Sequence, residues 1–224
     1  MINKLKLVFF LLLLLAAVNG IAQKSDVGNW FAYLGNQKIN DRWNFHNEVQ
    51  YRNFNFAGDL EQLLIRTGLG YNLSQNNNNV LLGYAYIHSE PYIAGTDEKS
   101  RTDEHRIFQQ FITKQQFGRV NILHRYRFEQ RFIRDDFKMR LRYSLSLNIP
   151  INKKVMEKNA VYASLSNEVF INTKQNHYDR DRVYGGIGYC FSKYVKVEAG
   201  VMSQILPATS RTQFQIMIFN NLPF

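Results

Sequence analysis

The sequence has one cysteine and four prolines in 224 residues. With Cys190 alone, no intramolecular disulfide can form. It sits on an expected strand, where a small buried wall residue is the plain reading and a reactive thiol the sharper one. Beyond residue 23 no apolar run approaches the roughly 18 residues of a transmembrane helix, and mean hydropathy is −0.34. Helical membrane spans are therefore excluded. No stretch keeps helical period for more than a few residues, and there is no Pro/Ser linker and no internal repeat. A Gly-rich phosphate loop, a CxxC pair and an HExxH run are all absent, so those three chemistries are not encoded and no cofactor is expected. Acidic residues are also short, 18 against 28 Lys and Arg, for a formal charge of +10. The basic residues alternate along the chain instead of forming a block, which argues against a nucleic-acid partner.

What is present begins with a leader. Lys4 and Lys6 precede the apolar run Leu7 to Val18, and Gly20-Ile21-Ala22 offers small residues before Gln23. Residues 1–22 read as a secretory signal, and residues 23–224 as one domain. No Cys follows the apolar run, so no lipoprotein attachment site is expected.

The clearest stretch is Phe137 to Ile149. Its odd positions are apolar or aromatic, and its even positions are Lys138, Arg140, Arg142, Ser144, Ser146 and Asn148. That is a strand with one apolar and one polar face, and it is longer than the five or six residues usual in soluble sheets. Bilayer-crossing strands need about 9–11 residues. The same alternation predicts strands at Val27–Gln37, Trp43–Phe54, Glu61–Asn72, Val80–Ile87, Glu104–Gln115, Val120–Phe132, Ala160–Ile171, Val183–Phe191, Val195–Ile205 and Thr212–Phe224. The expectation is an all-β, antiparallel outer-membrane β-barrel of about 10–12 strands. A barrel hides from hydropathy because only every second residue faces lipid. Eleven segments can be counted, but single-chain bacterial barrels have even strand numbers, so 10 or 12 wall strands are expected. Short connections (74–79, 116–119, 192–194) and a moderate turn at 152–159 alternate with longer or more polar ones (89–103, 172–181, 206–211). Phe224 ends the last amphipathic strand, in phase with Phe214, Ile216 and Ile218. Such a terminal aromatic resembles the signal read by the barrel-assembly machinery, so that machinery and outer-membrane lipid are the expected partners.

Register follows from two turns. A turn centred on Phe117-Gly118 pairs Phe111 with His124, Arg106 with Glu129 and Glu104 with Arg131. A loop at 133–136 pairs Phe128 with Leu141, Glu129 with Arg140 and Arg127 with Arg142. Glu129 then lies between two arginines in the lumen, with Glu48, Glu168 and Glu198 as further candidate acids. Arg127 beside Arg142 is a like-charge contact that needs water, an acid or an anionic ligand.

Gly28-Asn29-Trp30, Glu104-His105-Arg106, the run Arg125-Tyr126-Arg127-Phe128-Glu129-Gln130-Arg131-Phe132, and Arg140-Leu141-Arg142-Tyr143 resemble the DUF2490 family. That family comprises predicted outer-membrane barrels of unknown function, widespread in Bacteroidetes and found in other Gram-negative bacteria. The resemblance covers most of residues 23–224. It implies an outer-membrane location and a barrel architecture, and no activity.

Three chemistries are open. The cluster Glu104, Arg106, Arg125, Arg127, Glu129, Arg131, Arg140 and Arg142 either closes the barrel as a polar plug or lines a narrow, anion-favouring path for an unspecified small solute. The alternative is an outer-membrane lipid-modifying hydrolase, for which His88, Ser89 and Glu90 are the candidates; His124 has no Ser beside it. The third is a metal site on His177, Asp179 and Asp181, which share one phase in an expected loop.

Overall fold

Alternation leaves each strand one apolar and one polar face, and among the described residues eleven such strands close on each other. The computed structural model describes residues 27–74, 77–174 and 177–224, so the leader at 1–22 lies outside the described residues. The strands are β1 (Gly28–Lys38), β2 (Trp43–Asn53), β3 (Leu60–Asn72), β4 (Asn78–Ser89), β5 (Thr102–Phe117), β6 (Val120–Ile133), β7 (Asp136–Pro150), β8 (Val161–Asn172), β9 (Tyr178–Cys190), β10 (Val195–Ile205) and β11 (Ser210–Asn220). Each pairs with its sequence neighbour, and β1 closes the barrel against β11. No described residue is helical.

The count of eleven corrects the expected 10 or 12. Hairpin-linked strands alternate in direction, so an odd number brings the first and last together in the same direction. β1 and β11 are accordingly parallel, from Gly28 opposite Gln213 to Gly35 opposite Asn220; the ten other pairings are antiparallel. The barrel thus has a first mouth, where β1 begins, and a second mouth, where β11 ends.

The expected alternation of loop lengths is kept only in part. The first mouth carries the longest connection, 90–101, but also the two-residue turn Arg134-Asp135. The second mouth carries the two-residue turn Gly118-Arg119 and the long segment 151–160. Gly118 and Arg134 adopt φ of 57° and 51°, the left-handed conformation that tight hairpins demand and that a glycine adopts freely.

Register matches the expectation on one side of β6 and departs from it on the other. Between β6 and β7, Phe128 faces Leu141, Glu129 faces Arg140 and Arg127 faces Arg142, as expected. Between β5 and β6 the turn is one residue later, so every partner moves by two. Arg106 faces Arg131, Phe108 faces Glu129, Gln110 faces Arg127 and Glu104 faces Ile133. His124 faces Thr113, not Phe111.

Two β-bulges interrupt the ladder. One follows Arg52 and leaves Glu61 as the extra residue on β3. The other follows Phe170 and leaves Asp179 extra on β9. The expected loop 172–181 is therefore strand from Tyr178 onward.

The outer face carries Val49, Ile65, Leu69, Leu82, Leu141, Leu165, Ile187 and Val201, all exposed, with Leu82 at 59% and Ile187 at 62%. Inside, the wall is polar but includes Trp30, Phe108, Tyr162, Phe170 and Tyr184, each buried. Phe108 lies flat on β4 because Gly83 has no Cβ; one built there would overlap the ring. Several of the polar residues that face outward bond in pairs. Gln109 and Gln130 exchange amide bonds at 3.2 and 3.4 Å, His124 Nδ1 meets the Tyr143 hydroxyl at 2.9 Å, and Asn167 donates to Asp181 at 2.7 Å.

Candidate functional site

Even-numbered residues of β5 and β7 and odd-numbered residues of β6 point inward, which collects the charged cluster toward the first mouth. Glu129 is its centre and is fully buried. Its Oε2 accepts from Arg140 Nη2 at 2.7 Å and Nε at 3.1 Å; its Oε1 accepts from Arg142 Nη1 at 2.7 Å. Arg106 Nη1 approaches Oε2 only to 3.8 Å, because the observed register sets Arg106 diagonally and not opposite.

Further carboxylates repeat the pattern. Glu104 accepts from both Arg106, at 2.5 and 2.9 Å, and Arg131, at 2.6 and 3.0 Å. Glu168 accepts from Arg142 at 2.7 Å and Arg125 at 2.8 Å. Glu48 accepts from Arg66 at 2.5 Å and also from Gln50. All eight cluster residues named from sequence therefore face one lumen. Of the other acids expected there, Glu48 and Glu168 serve arginines, while Glu198 accepts from the Tyr162 hydroxyl at 2.7 Å.

Charges taken from water cost free energy that close, hydrogen-bonded partners offset. The two bulges supply extra partners. A bulge turns its extra side chain away from the alternating phase. Asp179 consequently reaches Arg140 at 2.8 Å and Arg180 at 3.2 Å, and Glu61 reaches Arg211 at 2.7 Å and Gln213 at 3.1 Å. The last two bonds tie β11 to β3 across the parallel closure.

Arginines still outnumber carboxylates. Arg52 donates to Gln50 at 2.6 Å and stacks on Trp30 at 3.6 Å. Arg182 donates to Gln204 at 2.9 and 3.0 Å and lies over Trp30 and Phe170. Aromatic faces attract guanidinium cations, and they take the place of acids here. Sequence alternation puts Arg52 on the polar face of its strand but leaves Arg182 outside the expected strand Val183–Phe191; the inward aromatics that carry them gave no signal, because an aromatic in a strand reads as outer wall.

From Arg66, Arg127, Arg142 and Arg182 toward the second mouth the lumen opens into a cavity of about 850 Å³. Asn, Gln and Ser are the commonest residues of its walls, beside aliphatic and aromatic side chains and the cations Lys114 and Lys196. Asn79 bridges Asn44 and Asn72 at 2.7 and 2.8 Å near the opening. No residue of the Glu129–Arg140–Arg106 layer lines this cavity.

The other candidate sites are dispersed. His88 points outward between Asp103, at 2.7 Å, and Glu90, at 3.3 Å, while the Ser89 hydroxyl accepts from Gln62 at 2.8 Å. Neighbouring strand residues face opposite ways, so no Ser meets this His. The metal reading fails on the bulge: Asp179 turns to the lumen, Asp181 bonds Asn167, and His177 bonds the Asn172 carbonyl at 3.3 Å. Among the described residues no three His, Cys, Asp or Glu side chains gather to hold a metal. Cys190 is buried against Ala160 and Tyr162.

Among known proteins, the profile of one family, described as "Protein of unknown function (DUF2490)", matches residues 27–215. No curated protein and no solved structure matches the chain.

Proposed function

The chain belongs to the DUF2490 family, and since that membership carries no activity, we propose from the geometry that it is an outer-membrane barrel sealed by its own charged lumen and open only as a blind vestibule at the second mouth. The observation that carries the membrane part is the inversion of a soluble fold. Charged residues such as Glu129 and Arg127 are buried at 0% and 2% exposure, while aliphatic side chains cover the outside. Soluble monomers rarely expose contiguous apolar surface beyond a few hundred Å².

Three further features support it. Strands of 11–16 residues exceed the length needed to cross a bilayer. Aromatic pairs gather at both rims: Trp43–Tyr71, Phe45–Phe224 and Tyr189–Phe191 near the second mouth, Phe132–Phe137 and Phe31–Phe56 near the first. Interfacial girdles have this placement. The outward amides Gln109 and Gln130, and His124 with Tyr143, bond to each other, which lowers the cost of facing hydrocarbon.

Sealing rests on the layer of Glu129, Arg106 and Arg140, which are buried among their partners. A conducting, anion-favouring path has less support, because these long side chains occupy the lumen. Two measurements test the proposal. The full chain should fractionate with outer membranes and need detergent for extraction; recovery as a soluble protein overturns the membrane reading. In planar bilayers it should be silent; stepwise conductance overturns the seal.

A further inference from the structure

The floor of the vestibule is cationic and short of partners. Arg127 donates through both Nε and Nη2 to the single oxygen Gln110 Oε1, at 2.9 and 2.5 Å. Its Nη1 has no hydrogen-bond partner, and the Glu129 Oε1 beside it is 4.0 Å away. The side chain is 1% exposed and lies over the Phe108 ring at 4.9 Å, and its charged neighbours are Arg66, Arg125 and Arg142 against the acids Glu129 and Glu48. Trp30 Nε1 and the Tyr184 hydroxyl, each in a residue 5% exposed, also lack partners. All three residues line the vestibule.

We propose that this floor is a binding site for the anionic group, carboxylate or phosphate, of a small solute that enters by the second mouth. The acids nearest Arg127 are already committed: Glu48 to Arg66, Glu168 to Arg125 and Arg142, Glu129 to Arg140 and Arg142; Glu198, elsewhere in the vestibule wall, accepts from the Tyr162 hydroxyl. An oxyanion supplies what they cannot, an acceptor for Nη1 together with a charge that relieves the repulsion among Arg127, Arg66 and Arg142. A water would satisfy the first need and not the second. The cavity volume lies in the range of small-molecule sites. The Asn, Gln and Ser walls offer hydrogen bonds to the neutral remainder of such a solute. Lys114 and Lys196 in the same wall bias entry toward anions.

The site rests on the blind-vestibule reading, but its binding is read in detergent micelles, where no membrane or seal is needed. Isothermal titration of the purified full chain at fixed ionic strength would use inorganic phosphate and succinate in separate arms, with choline as the cationic control. Saturable binding of phosphate, succinate or both is expected, and none of choline. Arg127→Gln should weaken that binding at least about tenfold, equivalent to about 1.4 kcal/mol. Trp30→Phe keeps the ring under Arg52 but loses the N–H, and should weaken it severalfold; it stands as the deciding variant if Arg127→Gln does not fold. Absence of saturable binding in both arms, equal binding of choline, or unchanged affinity in the folded variants overturns the proposal. Conductance in bilayers would overturn the seal alone and leave the binding result standing.

Discussion

Arg127 and Arg142 stand directly opposite each other on β6 and β7, yet only Arg142 has a carboxylate on either side, Glu129 and Glu168, each at 2.7 Å. The two positions should respond differently to loss of charge. Arg142→Gln leaves two buried acids short of a partner and should cost about 3–5 kcal/mol, the usual consequence of breaking a buried pair. Arg127→Gln removes a cation from among cations but leaves Gln110 Oε1 without its donor, and should cost less, about 1–2 kcal/mol. Urea unfolding in detergent, followed by the loss of β circular dichroism, ranks the two; equal losses would show that the pairs around Arg142 do not act as the geometry implies.

Glu129 is the acid on which β6 and β7 converge, with Arg106 on β5 at longer range. Glu129→Ala should destabilise by about 3–5 kcal/mol. Glu129→Gln keeps the acceptor oxygen and should lose less. The gap between the two variants in unfolding midpoint measures the hydrogen bonds apart from the charge.

Gly83 and Phe108 share one space. Gly83→Val should cost about 1–3 kcal/mol by overpacking, and Phe108→Leu in the same chain should recover part of it. A double-mutant cycle reads the coupling; strictly additive effects would mean the ring does not rest on Gly83.

Asp179 serves Arg140 and Arg180 from its bulge. Asp179→Asn should cost about 1.5–3 kcal/mol, as expected for hydrogen bonds to charged groups. Asp181→Asn, two residues on but on the outer face beside Asn167, should be nearly silent. Similar losses at both sites would contradict the bulge geometry.

Much of the barrel is legible in alternation alone. The two faces of β7 and the pairing of Glu129 with Arg140 follow from period 2 and a short turn. The β5–β6 register is not legible, for a physical reason. A one-residue slip turns every side chain to the wrong face and is heavily penalised. A two-residue slip preserves both faces, so only the turn can decide, and Gly118 fits a turn on either side of it. Glu61 escapes because it reads as the first residue of a strand, in phase with the outward Leu63 and Ile65, and Asp179 because it lies in the polar stretch 172–181 that reads as loop. The partnerless donors of Arg127 and Trp30 depend on where side chains end, which residue spacing does not encode.

Parallel closure has a consequence for engineering the chain. In an even barrel the ends of the first and last strands share a mouth, and a short linker can join them for circular permutation. Here Gly28 and Asn220 lie at opposite mouths. A joining segment would have to run the full height of β1, about 35 Å at 3.3 Å per residue, over the outer wall or through the lumen that Glu129 fills. Permutants of this barrel should therefore fail with short linkers wherever the new break is placed, and an insertion of one further strand should be the change that makes them viable.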